Sequence, residues 1–174
     1  MKEIELKLIA ELMKNARRSD RDLARSIGVS QPTVSRIRSR LEKEGFVREY
    51  AMIPDFYRLG YEILAVTFVK LKGTLTPEET EKVRAFTHER AKKTPYDLIM
   101  LEIGTGLGYD GIIISLHKNY SVYMESRNFL RQYDFLENTM DSFLIDLADR
   151  KQYVPLTLSV LARHLRSNKE KKQK

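Results

Sequence analysis

The chain has 174 residues, 42% hydrophobic and 32% charged, with 8 Gly, 5 Pro and no Cys. This is the balance of a folded protein that buries about 70% of its unfolded surface; it excludes collagen-like and low-complexity chains, disulfide frameworks and thiolate zinc sites. The net charge of +7 sits at the ends: residues 1–50 carry 12 Lys/Arg against 8 Asp/Glu, residues 51–162 carry 13 against 15, and residues 163–174 carry 6 against 1.

From Ile4 to Met13 apolar residues recur mostly at helical spacing, which predicts an amphipathic first helix ending near Asn15. Ser19 offers an N-cap oxygen, and Asp20 and Asp22 suit the positive end of a helix dipole. A short second helix is therefore expected, with Leu23, Ala24 and Ile27 inside and Gly28 as its stop. Ser30 caps a third helix with Pro32 in its first turn, Val34, Ile37 and Leu41 on one stripe, and Gly45 at its close. Two helices joined by the short Gly28-Val29-Ser30 turn make a helix-turn-helix. The following FVREYAMI has strand character and is expected to form the wing, giving a winged helix-turn-helix over 1–54.

Beyond Pro54 the pattern changes, with a linker expected over 55–60. Residues 61–72 are rich in β-branched and apolar side chains and predict a strand. Residues 77–93 predict a helix opened by Thr76 and Pro77, with Glu78, Glu79 and Glu81 in its first turns. Strands are expected at 97–103 and 111–117, a helix at 120–133 and a last strand at 139–147. The order βαββαβ is that of a ferredoxin-like sandwich, so the fold class is α+β with a second domain over 61–149. The extension 150–174 holds a predicted helix within 154–165 and a basic tail, SNKEKKQK, expected to be disordered.

No apolar run approaches the roughly 18 residues needed to span a bilayer. The first residues, MKEIELKLIAEL, alternate charged and apolar side chains rather than forming a signal core, so a cytoplasmic protein without a membrane partner is expected. His88, His117 and His164 stand singly, which favours ordinary surface or half-buried histidines over a metal site; no metal or cofactor is expected.

With Val34, Ile37 and Leu41 turned inward, Pro32, Ser35, Arg36, Ser39 and Lys43 fall on the opposite face of the third helix. The N-terminal part of such a helix meets base edges in the major groove, so Gln31, Thr33, Ser35, Arg36 and Ser39 are the candidates to read sequence in double-stranded DNA. Gln pairs bidentately with adenine and Arg with guanine, while Ser and Thr accept or donate. Arg17, Arg18, Arg21, Arg38 and Arg40 are the candidates for phosphate contacts.

The stretch RRSDRDLARSIGVSQPTVSRIRSRLEKEGFVREYAMIP, Arg17 to Pro54, closely resembles the N-terminal domain of the Lrp/AsnC, or feast/famine, regulators. Leu59-Gly60-Tyr61-Glu62 falls where that family's second domain usually starts. The resemblance implies a βαββαβ sensing domain, homodimerisation through its sheet, frequent assembly to tetramers or octamers, and an amino-acid effector bound between subunits. By the same resemblance Thr105, Gly106, Gly108, Tyr109 and Asp110 are the candidates for effector contact, with glycine-freed N–H groups for a carboxylate and Asp110 for an ammonium. The same glycines read equally well as a β-hairpin turn. Extra glycines at Gly104 and Gly111 and the long basic extension depart from the family pattern.

Gly106-Leu107-Gly108-Tyr109-Asp110-Gly111 also matches a dinucleotide-binding G-x-G-x-x-G, but the IIISL that follows favours a strand where the phosphate site needs a helix. No other enzymatic motif is present, so no catalytic residues are expected. Two functions are thus weighed: a ligand-responsive transcription regulator, and a small-molecule-binding or assembly protein whose winged helix serves protein contacts.

Overall fold

The computed structural model describes residues 1–91, 97–149 and 156–167. The chain forms two compact units, Met1–Pro54 together with Gln152–Lys174, and Asp55–Lys151.

The first unit contains α1 (Glu3–Lys14), α2 (Asp20–Ile27), α3 (Gln31–Lys43) and, from the far end of the chain, α6 (Ser159–Ser167). Local chemistry sets the first three. The backbone N–H of Lys2 donates to Glu5 at 2.8 Å at the start of α1. Ser19 Oγ accepts from the N–H of Asp22 at 3.1 Å, and Ser30 Oγ from that of Thr33 at 3.3 Å, satisfying donors that a helix start leaves unpaired. Gly28 ends α2 at φ 77°, a left-handed conformation that glycine adopts without penalty. Leu8, Leu12, Leu23, Ala24, Val34, Ile37 and Leu41 form one buried cluster, edged by Ile4, Ile9, Ile27, Val29 and Val47. Each fully buried leucine contributes about 1.5–3 kcal/mol relative to exposure.

The expected wing strand is a correction. Residues 46–53 carry no β-ladder, because a strand needs a partner edge and the unit's described residues supply none. Only Val47 reaches the core, and Tyr50 turns back to donate to Glu42 at 2.7 Å.

The second unit contains β1 (Ile63–Val69), α4 (Pro77–Ala91), β2 (Asp97–Gly106), β3 (Tyr109–His117), α5 (Tyr120–Leu130) and β4 (Asp141–Asp146). The sheet is antiparallel in the order β2-β3-β1-β4, which is the expected βαββαβ arrangement. β2 and β3 run further toward each other than expected. Only Leu107 and Gly108, at φ 53° and 80°, separate them, so the glycine-rich stretch is a two-residue hairpin turn with both central residues left-handed. Residues 92–93 of the expected helix lie outside the described residues.

One sheet face packs its core: Val69, Ile113, Leu136 and Met140, with Leu98, Leu101, Leu130, Tyr133 and Phe135 against them. By strand alternation and register the other face presents Leu64, Val66 and Phe68 beside Ile112 and Ile114, with Phe143 and Ile145 on β4. Phe143 is 65% exposed. His117 is fully buried rather than on the surface: its Nε2 lies 2.8 Å from Ser115 Oγ and its ring meets Tyr123 edge-on at 5.5 Å. α4 opens on a reciprocal Thr76–Glu79 box, the N–H of Thr76 donating to Glu79 at 2.8 Å and that of Glu79 to Thr76 Oγ1 at 3.2 Å.

Candidate nucleic-acid interface

The Gly28-Val29-Ser30 turn and the inward stripe of α3 determine which side chains α3 can offer. Gln31, Pro32, Ser35, Arg36, Ser39 and Lys43 are exposed. Arg36 and Lys43 form no ion pair among the described residues. The structure therefore brings four of the expected base-reading residues, Gln31, Ser35, Arg36 and Ser39, onto one open surface. Thr33 differs: it is half-buried, and its hydroxyl lies 2.8 Å from that of Ser30, so it works at the cap.

The five arginines expected at phosphates divide into two groups. Arg17 and Arg21 are exposed, with no ion pair among the described residues. Arg18 ties α1 to α2, bonding the buried Glu11 and the carbonyl of Asp22 at 3.0 Å. Arg38 ties α3 to α2 through Asp20 at 3.0 Å and lies over the Tyr50 ring at 5.9 Å. Arg40 bonds the buried Glu5 and lies 3.8 Å from Glu44. Three of the cations are thus engaged inside the unit, a pairing that only tertiary structure reveals.

Electrostatics follow from these contacts. The Lys2 N–H bond holds the Glu5 carboxyl below its ordinary range; burial opposes this and Arg40 reinforces it. The Ser19 hydroxyl lowers Asp22. Burial, then the hydrogen bond to Glu42, pushes the Tyr50 phenol up to about 12. Between the start of α1 and α3 lies a cleft of about 410 Å³ lined by Lys2, Glu5, Thr33, Arg36 and Arg40. Lys2 thereby joins the basic surface beside α3, a placement that no local sequence signal marks.

The effector candidates sit at the hairpin tip. Thr105, Gly106 and Gly108 are exposed at the turn. The Tyr109 hydroxyl donates to Asp141, which raises the phenol's pKa, and its ring packs 5.6 Å from Phe68. Asp110 accepts the N–H of Leu71 at 2.9 Å, so one of its oxygens already braces the end of β1. Among the described residues no group of three or more His, Asp or Glu is placed to hold a metal, and no helix is long and apolar enough to cross a membrane.

Residues 1–48 match the family model described as winged helix-turn-helix DNA-binding. An uncharacterised HTH-type transcriptional regulator of Pyrococcus furiosus is 32% identical over 106 residues, covering 61% of this chain and 66% of the relative. The leucine-responsive regulatory protein of Rhizobium meliloti is 33% identical over 69 residues, covering 40% and 44%. Each match spans less than two thirds of the relative's length. Among solved structures, a transcriptional regulator of Neisseria meningitidis in complex with L-Met superimposes with a TM-score of 0.70 at 18% identity, covering 92% of this chain and 99% of that one. E. coli AsnC does so with a TM-score of 0.68 at 16% identity, covering 91% and 98%. The chain is thus similar to a helix-turn-helix DNA-binding model over its first unit, to a leucine-responsive regulatory protein among its sequence relatives, and to AsnC in fold.

Proposed function

We propose that the chain is a sequence-specific DNA-binding transcription regulator that reads a pseudo-palindromic site as a dimer or higher oligomer. The observation that carries this reading is the open face of α3, where Gln31, Ser35, Arg36 and Ser39 stand together on a helix whose opposite stripe is locked in the core. Arg36 reads guanine and Gln31 adenine; Arg17 and Arg21 hold phosphates, while Arg18, Arg38 and Arg40 keep the three helices in register. One helix covers only a half-site, and the apolar sheet face around Val66, Ile114 and Phe143 supports pairing of two copies.

Binding to a duplex series tests the division of labour. Arg36→Ala relaxes preference at one base position by about 1–3 kcal/mol. Arg17→Ala with Arg21→Ala weakens every duplex alike and lowers the salt slope by about 0.9 per lost contact. Uniform loss for both sets on all sequences contradicts the assignment.

The L-Met complex of the Neisseria neighbour supports an amino-acid effector here, taken at the hairpin around Thr105, Gly106, Gly108, Tyr109 and Asp110. A thermal-shift panel of single amino acids, L-Met included, tests it; a shift that Thr105→Ala and Tyr109→Ala abolish is expected, and no shift with any amino acid contradicts it.

A further inference from the structure

The α3 residues that border the cleft beside α1 are Thr33, Arg36, Ile37 and Arg40. At i, i+3, i+4 and i+7 they run along one edge of the helix, from the buried stripe at Ile37 to the open face at Arg36. The start of α1, with Lys2, Ile4 and Glu5, forms the facing wall. For a helix lying in a duplex, such an edge has a defined neighbour. The major groove is about 12 Å wide and a helix with its side chains about 10–12 Å across, so the helix fills the groove. Whatever stands against the edge of α3 therefore meets the sugar–phosphate strand that walls it.

The charges in the cleft favour that strand. Glu5, 5% exposed, accepts the Lys2 N–H at 2.8 Å and pairs with Arg40, so its carboxylate is already matched inside the unit. Lys2 and Arg36 are exposed, and neither forms an ion pair among the described residues. With Arg36 given to the base edges, Lys2 is the cation left for the wall. A lysine suits this task, because its ammonium is a point charge on a flexible stem that binds phosphate without reading base geometry. Ile4 and Ile37 give the cleft an apolar floor for the carbon face of a sugar, within a volume of about 410 Å³.

We infer that Lys2 is a phosphate-contacting residue, and that the cleft between the start of α1 and the edge of α3 receives the strand walling the major groove. This contact adds affinity without reading sequence. The inference rests on the DNA-binding reading above. A free phosphate ion carries the same chemistry, and the test separates the two.

Affinity of the full-length chain for a duplex series is measured across salt concentrations, beside Lys2→Gln, Lys2→Arg and Lys7→Gln. Lys7 is the control: it is paired with Glu3 at 2.7 Å and lies about 200° around α1 from Glu5. Lys2→Gln is expected to weaken every duplex alike and to flatten the slope of log K against log salt by about 0.9, with base preference unchanged. Lys2→Arg and Lys7→Gln are expected to keep the parent's slope. Thermal shifts with inorganic phosphate are read on the same proteins. A Lys2→Gln variant with the parent's slope overturns the inference; if that variant also loses a phosphate-induced shift shown by the parent, the cleft holds a free ion instead of a strand. Equal flattening by Lys7→Gln overturns it too, because charge rather than place is then responsible. If the parent binds no duplex, the DNA-binding reading fails first; if the parent selects sequence and Lys2→Gln leaves the slope unchanged, this inference alone fails.

Discussion

At Gly111 the chain has no room for a side chain. A Cβ there meets the Glu102 carbonyl oxygen at 2.9 Å and a Val69 methyl at 3.2 Å. The backbone oxygen belongs to the sheet ladder and yields little, so Gly111→Ala is expected to cost about 1–3 kcal/mol, read as a lower urea midpoint at unchanged m. Arg38 and Arg36 sit two residues apart on α3, and the proposed reading gives the first to structure and the second to recognition. Arg38→Ala removes the Asp20 partner and is expected to lower unfolding stability by about 1 kcal/mol, whereas Arg36→Ala leaves the midpoint unchanged and alters base preference. Burial lowers the pKa of His117 below the ordinary 6.5, a shift that Asp97 partly opposes. The unfolded chain then binds the extra proton first, so this contribution to stability is complete above about pH 6.5 and is lost as pH falls through the lowered value. Urea midpoints measured from pH 7.5 to 5 are expected to fall for the parent and to flatten in His117→Phe; parallel curves contradict this role.

At the scale of elements, α1, α2 and α3 depend on their caps. Ser30→Ala removes the oxygen that accepts the Thr33 N–H and is expected to cost about 1 kcal/mol of stability, measured by denaturant unfolding, while also loosening the first turn that carries Gln31. α2 and α3 are legible in the sequence because their signals are local, a Ser cap, a Gly stop and an apolar stripe within thirteen residues, and α1 by its apolar stripe alone. The βαββαβ order was legible for the same reason. The wing was not, because strand propensity in FVREYAMI says nothing about whether a partner edge exists. The engagement of Arg18, Arg38 and Arg40 was equally hidden, since their acceptors Glu11, Asp20 and Glu5 lie up to 35 residues away and meet them only after folding. The Leu107-Gly108 turn was half legible: the glycines marked it, but a leucine at positive φ does not announce itself.

At the scale of the whole molecule, the proposed function depends on bringing two recognition helices to one duplex. The sheet face with Phe143 is the surface proposed to pair two copies, and because Phe143 is already exposed, Phe143→Glu is expected to leave each copy folded while shifting sedimentation from dimer or higher species to monomer. An unchanged distribution places the contact elsewhere. Selection of bound sequences from a random duplex pool tests whether α3 reads DNA in pairs. Enrichment of a pseudo-palindrome whose half-sites lie about one helical turn apart is expected, with Arg36→Ala relaxing the same position in both halves. A pool that remains unenriched, with affinity near 10⁻⁴ to 10⁻⁶ M at about 0.1 M salt for every sequence, contradicts it.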